Sequence, residues 1–243
     1  MPIVFDEESH TYTNTDNGKN YRSVTTVLGD YKKPFDSDYH SKRIAKREGV
    51  TQQAILDRWE KIKVDACDRG TKIHKSMEEV ILDQAKTFAK SGDVPEGLDN
   101  SLVTSFMDNI DSIKYVQQVK CEEMVWDHDF EVAGLGDIFV VTSKGFFVKD
   151  FKTNKRFRYY SPFGEFLLTP INHLMECEFN AYAMQLSTYA LFYERMTGMK
   201  CLGLEILFLD TVDSKRIWRP IPINYLKFEA IAMFEDYKLK LST

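Results

Sequence analysis

Asp137, Asp150 and Lys152 are charged residues set inside apolar runs of a kind that otherwise builds β-strands. Residues 132–141 and 146–153 are β-branched and aromatic, and they flank Ser143-Lys144-Gly145, so the stretch reads as a hairpin. Side chains alternate along a strand, which puts Asp150 and Lys152 on one face and Phe151 on the other. Asp137, on the partner strand, can reach the same spot. Two carboxylates and an ammonium brought together this way are costly unless something binds between them. A divalent cation is the economical explanation.

Two further spacings belong to helices. Gly70 and His74 are four residues apart, with Glu78 one turn on, inside a helical pattern over residues 51–90 carried by Ile55, Trp59, Ile62, Ala66, Ile73, Met77 and Val80. A break is expected near Asp68-Arg69-Gly70. By spacing alone His74 is either a satisfied helical histidine or a ligand. Gln185 and Tyr189 also lie four apart, in a helix over 176–197 that ends at Gly198.

The remaining elements frame these. Residues 3–22 read as a short hairpin turning at Asn17-Gly18, and Ser23 caps a short helix ending near Gly29. A polar helix through Glu48, capped by Ser37 or Asp38, carries Lys42, Arg43, Lys46 and Arg47, either as a solvated face or as a phosphate-tracking surface. Residues 91–97 form a loop, and a helix follows to about residue 116. The run 119–126, with Glu122 and Glu123, is the first strand of the central sheet. Residues 201–210 form a strand buried on both sides, and a last helix spans 224–241.

Between strand and helix, residues 154–172 are irregular and mix cations with rings: Lys155, Arg156, Arg158, Tyr159 and Tyr160 are the candidates. Such a mixture suits single-stranded nucleic acid, phosphates on the cations and bases on the rings; it equally suits a loop whose aromatics cover the core edge. The net charge of −5 leaves room for a local basic groove. No apolar run approaches a membrane span, no secretory layout opens the chain, and Cys67, Cys121, Cys177 and Cys201 lie far apart. Buried free thiols in a reducing cytoplasm are expected.

Taken in order, Gly70-x-x-x-His74, Gly134-x-x-Asp137, Asp150-x-Lys152 and Gln185-x-x-x-Tyr189 resemble the signatures of the RecB-like branch of the PD-(D/E)xK nuclease superfamily. Residues 23–28 are similar to the entry motif of the mitochondrial genome maintenance exonuclease and related phage exonucleases. The likeness runs over about residues 20–210, with Gly136 where some members have proline before Asp137.

It implies an α/β, restriction-endonuclease-like core: a central mixed sheet of about four strands flanked by helices, with N-terminal hairpin and helix and C-terminal helix additions. The chain is then one nuclease domain over 1–243, with an elaboration over 1–50, a catalytic core over 51–210 and a helical extension over 211–243. The implied activity is hydrolysis of DNA phosphodiesters with Mg²⁺ or Mn²⁺ held by Asp137, Asp150, the Phe151 carbonyl and His74. Lys152 acts on the attacking water and the phosphoryl group, and Gln185 and Tyr189 position the strand or touch the substrate. Glu122 or Glu123 either supports the metal or is a surface carboxylate. The substrate implied is single-stranded or end-bearing DNA in replication, recombination or repair, with the chain in the cytoplasm of a host cell if phage-encoded. A double-strand recombination exonuclease, an endonuclease, and a DNA-binding module with an inactive site are the alternatives; oligomeric state stays open. The cysteines lack the spacing that holds an iron–sulfur cluster in some members, so no cluster is expected.

Overall fold

A computed structural model describes residues 2–82, 98–209 and 216–242. The hairpin on which the sequence centres is present as β5 (Val132–Thr142) and β6 (Gly145–Lys152), paired antiparallel and preceded by β4 (Val116–Asp127), which runs antiparallel along the whole of β5. The N-terminal segment contributes three strands, β1 (Ile3–Asp6), β2 (Thr11–Asn14) and β3 (Asn20–Ser23). Beyond β6 lie β7 (Cys201–Phe208), parallel to it, and β8 (Arg219–Ile223), antiparallel to β7.

The result is an open mixed sheet of eight strands, where about four were expected. Two facts enlarge it. The N-terminal hairpin joins the sheet through parallel pairing of Arg22 and Ser23 with Val132 and Ala133. The segment 219–223 forms a strand despite Pro220 and Pro222, because β8 lies at the edge, where a missing N–H breaks no interior ladder.

The free edge of β5 is divided. β3 takes it at residues 132–133 and β6 at residues 138–142, so residues 134–137 have no strand beside them on that edge among the described residues. This gap in the ladder is where Asp137 sits.

Helices cover both faces: α1 (Val24–Asp30), α2 (Ser37–Glu48), α3 (Gln52–Leu82), α4 (Asn100–Asp111), α5 (Glu178–Thr197) and α6 (Lys227–Leu241). Val27, Leu186, Phe192 and Phe234 pack with Phe139 and Val148 on one face. On the other, Ile73, Met77, Leu102 and Phe106 pack with Ile138, Val140 and Phe151. Ser23 caps α1 by accepting from the Thr26 N–H, whereas the cap of α2 is Asp36 in place of Ser37 or Asp38.

Four expectations are corrected here. Helix α3 runs unbroken through Gly70, whose cost in a helix interior is only about 1 kcal/mol. Its middle stands clear of the body, so Ile62 and Ala66 are exposed in spite of their apolar spacing, and Cys67 is an exposed thiol while Cys177 and Cys201 are buried. The last helix begins at Lys227, three residues later than expected. The loop over 91–97, the end of the expected helix at 83–90 and the strand end at Asp210 lie outside the described residues.

Candidate active site

Gly134 and Gly136 explain how β5 can meet α5. A Cβ on Gly134 would stand 2.7 Å from Tyr189 Cε1, and one on Gly136 would stand 2.5 Å from Phe139 Cε2 and 3.4 Å from Tyr189 Cδ2. The Tyr189 ring therefore lies against the bare backbone of β5 just before Asp137. Gln185 Nε2 donates to Tyr189 Oη at 3.0 Å, and burial holds that phenol well above its usual range. The helical pair thus fixes the strand that carries the first carboxylate. Gly70, by contrast, would place a Cβ 3.6 Å from Thr153 Oγ1, an ordinary contact.

Asp137 Oδ2 accepts the backbone N–H of Phe151 at 2.8 Å and lies 3.3 Å from His74 Nδ1. A side chain here does what a strand partner would do, since the β5–β6 ladder stops at Ile138 and Lys149. The His74 ring meets the edge of Phe151 with centroids 5.8 Å apart, which brings α3 to the same point.

Asp150 is buried to 2 % side-chain exposure, with Lys152 Nζ against its Oδ2. The buried carboxylate is thus paired with the ammonium two residues along the same strand face. Burial, and then the charge of Asp137, push the Asp150 carboxyl up. Burial works against the Lys152 ammonium, but Asp150 and Asp137 outweigh it and keep the amine protonated. The ammonium also lies 4.9 Å from the centroid of the Tyr182 ring, whose hydroxyl accepts from Asn154 Nδ2 at 2.7 Å.

Glu122 joins this group. Ligand atoms of His74, Glu122 and Asp137 all lie within 4.8 Å of one another. On β4 Glu122 stands opposite Asp137, between the pairs Cys121–Ile138 and Glu123–Gly136, and its φ of 45° is left-handed. Like charges directly across a strand pair repel, and a non-glycine residue in that conformation is strained. Packing around the carboxyl, followed by the charges of Asp137, Glu78 and Asp150, pushes it up to about 7, although the residue as a whole is open to solvent. Glu123 turns elsewhere and pairs with Lys120 at 2.6 Å.

An imidazole and two crowded carboxylates, with the buried Asp150 carboxylate close enough for its charge to be felt, fit a divalent cation. His74, Glu122 and Asp137 form one side of such a site, with Asp150 and the Phe151 carbonyl as the remaining candidates from β6.

Lys155, Arg156, Arg158, Tyr159 and Tyr160 line a cleft of about 770 Å³ together with Arg219 of β8. Tyr159 and Tyr160 are 57 % and 69 % exposed, too open to be core cover. Arg158 is within 3.7 Å of Glu178. A cleft of about 780 Å³ among Trp126, Asp127, His128 and Arg195 contains none of the residues singled out by sequence.

Arg219 and the choice of Glu122 over its neighbour escape a reading of spacing, and Tyr182 is not among the residues singled out as site candidates. Tyr182 is three residues before Gln185 and so on its helical face, a signal that was there to use. Arg219 lies between an unassigned stretch and a proline, where no local pattern marks it.

No protein-family model matches the chain, and no curated protein matches it. Among solved structures the chain is similar to a crystal structure from Eubacterium rectale described as "Putative exonuclease", with 16 % identity, a TM-score of 0.47, and coverage of 91 % of this chain and 80 % of that one.

Proposed function

We propose that the chain, over residues 1–243, is a metal-dependent deoxyribonuclease that removes nucleotides from DNA ends. The observation that carries the reading is the convergence of His74, Glu122 and Asp137 ligand atoms within 4.8 Å, beside the Asp150–Lys152 ion pair. The ordered motifs that resemble RecB-like nucleases support DNA as substrate and attack at ends.

A bound Mg²⁺ or Mn²⁺ would polarise the scissile phosphoryl group and acidify the attacking water. The chain's own groups do the rest. Asp137 is aimed by the Phe151 N–H and His74, so its charge is in place before substrate arrives. Lys152 remains an ammonium above Tyr182 and donates to a phosphoryl oxygen as negative charge grows there. Gln185 and Tyr189 hold β5 against α5 and so act by positioning.

The test uses end-labelled linear and circular oligonucleotides, single- and double-stranded, with Mg²⁺, Mn²⁺ or EDTA, beside Asp137→Asn and Lys152→Ala. The wild-type protein shortens linear DNA only with the cation, and each variant is slower by about two orders of magnitude or more. Cutting in EDTA, or by both variants at the wild-type rate, overturns the reading; cutting of circles makes the protein an endonuclease.

A further inference from the structure

Resting on the nuclease reading, we infer that Arg219 of β8 is a phosphate-binding residue at the far end of a single-strand track that starts at Lys152. Lys152, Phe208 and Arg219 are register partners across three successive strands. Paired residues point to the same face, so the two cations flank Phe208 at two strand spacings, about 10 Å apart at the backbone.

The floor between them is aromatic. Lys152 Nζ lies 4.9 Å from the Tyr182 centroid; Tyr182 and Phe157 are 5.8 Å apart, Phe157 and Phe208 5.3 Å, and the Arg219 guanidinium lies 5.6 Å over Phe208. Tyr159, tilted against Phe157 with centroids 5.2 Å apart, and the open Tyr160 ring line the cleft beside this floor.

Charge in the cleft runs against that of the chain. The protein carries −5 overall, yet the described residues lining this cleft include Lys155, Arg156, Arg158 and Arg219 and no carboxylate. Cations at intervals with the exposed Tyr159 and Tyr160 rings beside them match a polyanion whose bases are unpaired, since a duplex hides its base faces and offers rings nothing to stack on. One end of the strand lies at the candidate cation site and the other leaves past β8.

The experiment measures binding of the full chain to a fluorescein-labelled oligothymidylate and to a hairpin duplex by anisotropy, with Ca²⁺ replacing Mg²⁺ and across a salt series. Arg219→Gln, Tyr160→Ala and, as a distant control, Lys238→Gln are compared, each with its thermal melt, and cleavage is followed in Mg²⁺. Arg219→Gln is expected to weaken oligothymidylate binding about fivefold to tenfold and to lower the salt slope by about one. Tyr160→Ala weakens it with the slope unchanged, and the control alters neither. Wild-type affinity in both Arg219→Gln and Tyr160→Ala, or an equal loss for the duplex, overturns the track while wild-type cleavage stands. Failure of the wild-type protein to cleave at all removes the nuclease reading instead.

Discussion

The Asp137 carboxylate accepts the backbone N–H of Phe151 at 2.8 Å, standing in for the strand neighbour that β5 lacks at that level. A single oxygen therefore closes the gap in the sheet and contributes to the candidate cation site.

These two duties separate by mutation. Asp137→Asn keeps an acceptor for the Phe151 N–H, so thermal stability is nearly kept while Mn²⁺ binding, read by titration, falls at least tenfold. Asp137→Ala leaves a backbone donor unpaired as well and costs a further 1–3 kcal/mol or about that in urea unfolding. Equal stability of the two variants would count against the bridging role.

The motif glycines should divide in the same manner. Gly134→Ala forces a methyl group to within 2.7 Å of the buried Tyr189 ring and is expected to cost about 1–3 kcal/mol and most of the activity. Gly70→Ala meets only Thr153 Oγ1 at 3.6 Å inside a helix, and should stabilise the protein by up to about 1 kcal/mol with activity retained. Calorimetry and a cleavage assay on both variants check this.

Cation-free protein should lose stability as pH rises. In the fold, burial and the charge of Asp137 push Asp150 from 3.8 to about 6, and crowding pushes Glu122 from 4.5 to about 7. The folded state then holds more protons than the unfolded chain between those values. The contribution is present in full below about 4 and lost by about 7. Melting temperatures in EDTA should decline over that window relative to Asp150→Asn or Glu122→Gln, whose curves are flatter, and a divalent cation should restore the wild-type protein at pH 7.5. A wild-type slope matching both variants would remove the cause given.

Lys152→Ala removes the ammonium that competes with a cation for Asp150. Expected are a lower melting temperature in EDTA, undiminished Mn²⁺ affinity, and cleavage slower by about two orders of magnitude or more. Glu122→Gln reverses the pattern by weakening Mn²⁺ binding, while Glu123→Gln, tied to Lys120, leaves it unchanged.

Much of the candidate site was legible because its signals are local. Alternation placed Asp150 and Lys152 together and Phe151 in the opposite core. A four-residue step brought Gln185 to Tyr189, and the Ser143-Lys144-Gly145 turn fixed the hairpin that faces Asp137 with Phe151. The break expected at Gly70 was misread because a propensity cost of about 1 kcal/mol says nothing about the neighbours that offset it. Ile62 and Ala66 were misread because periodicity marks an apolar face without saying whether anything covers it.

By itself the sequence determined the stock of chemical groups, their order along the chain, and which of them share a strand face or a helix turn, since these follow from periods of two and of about 3.6 residues. Only the tertiary structure decided that Glu122 stands across from Asp137 while Glu123 goes to Lys120, and that Arg219 comes into line with Lys152 through Phe208. Those relations depend on the register of strands far apart in the chain, and register is set by packing that no local pattern records.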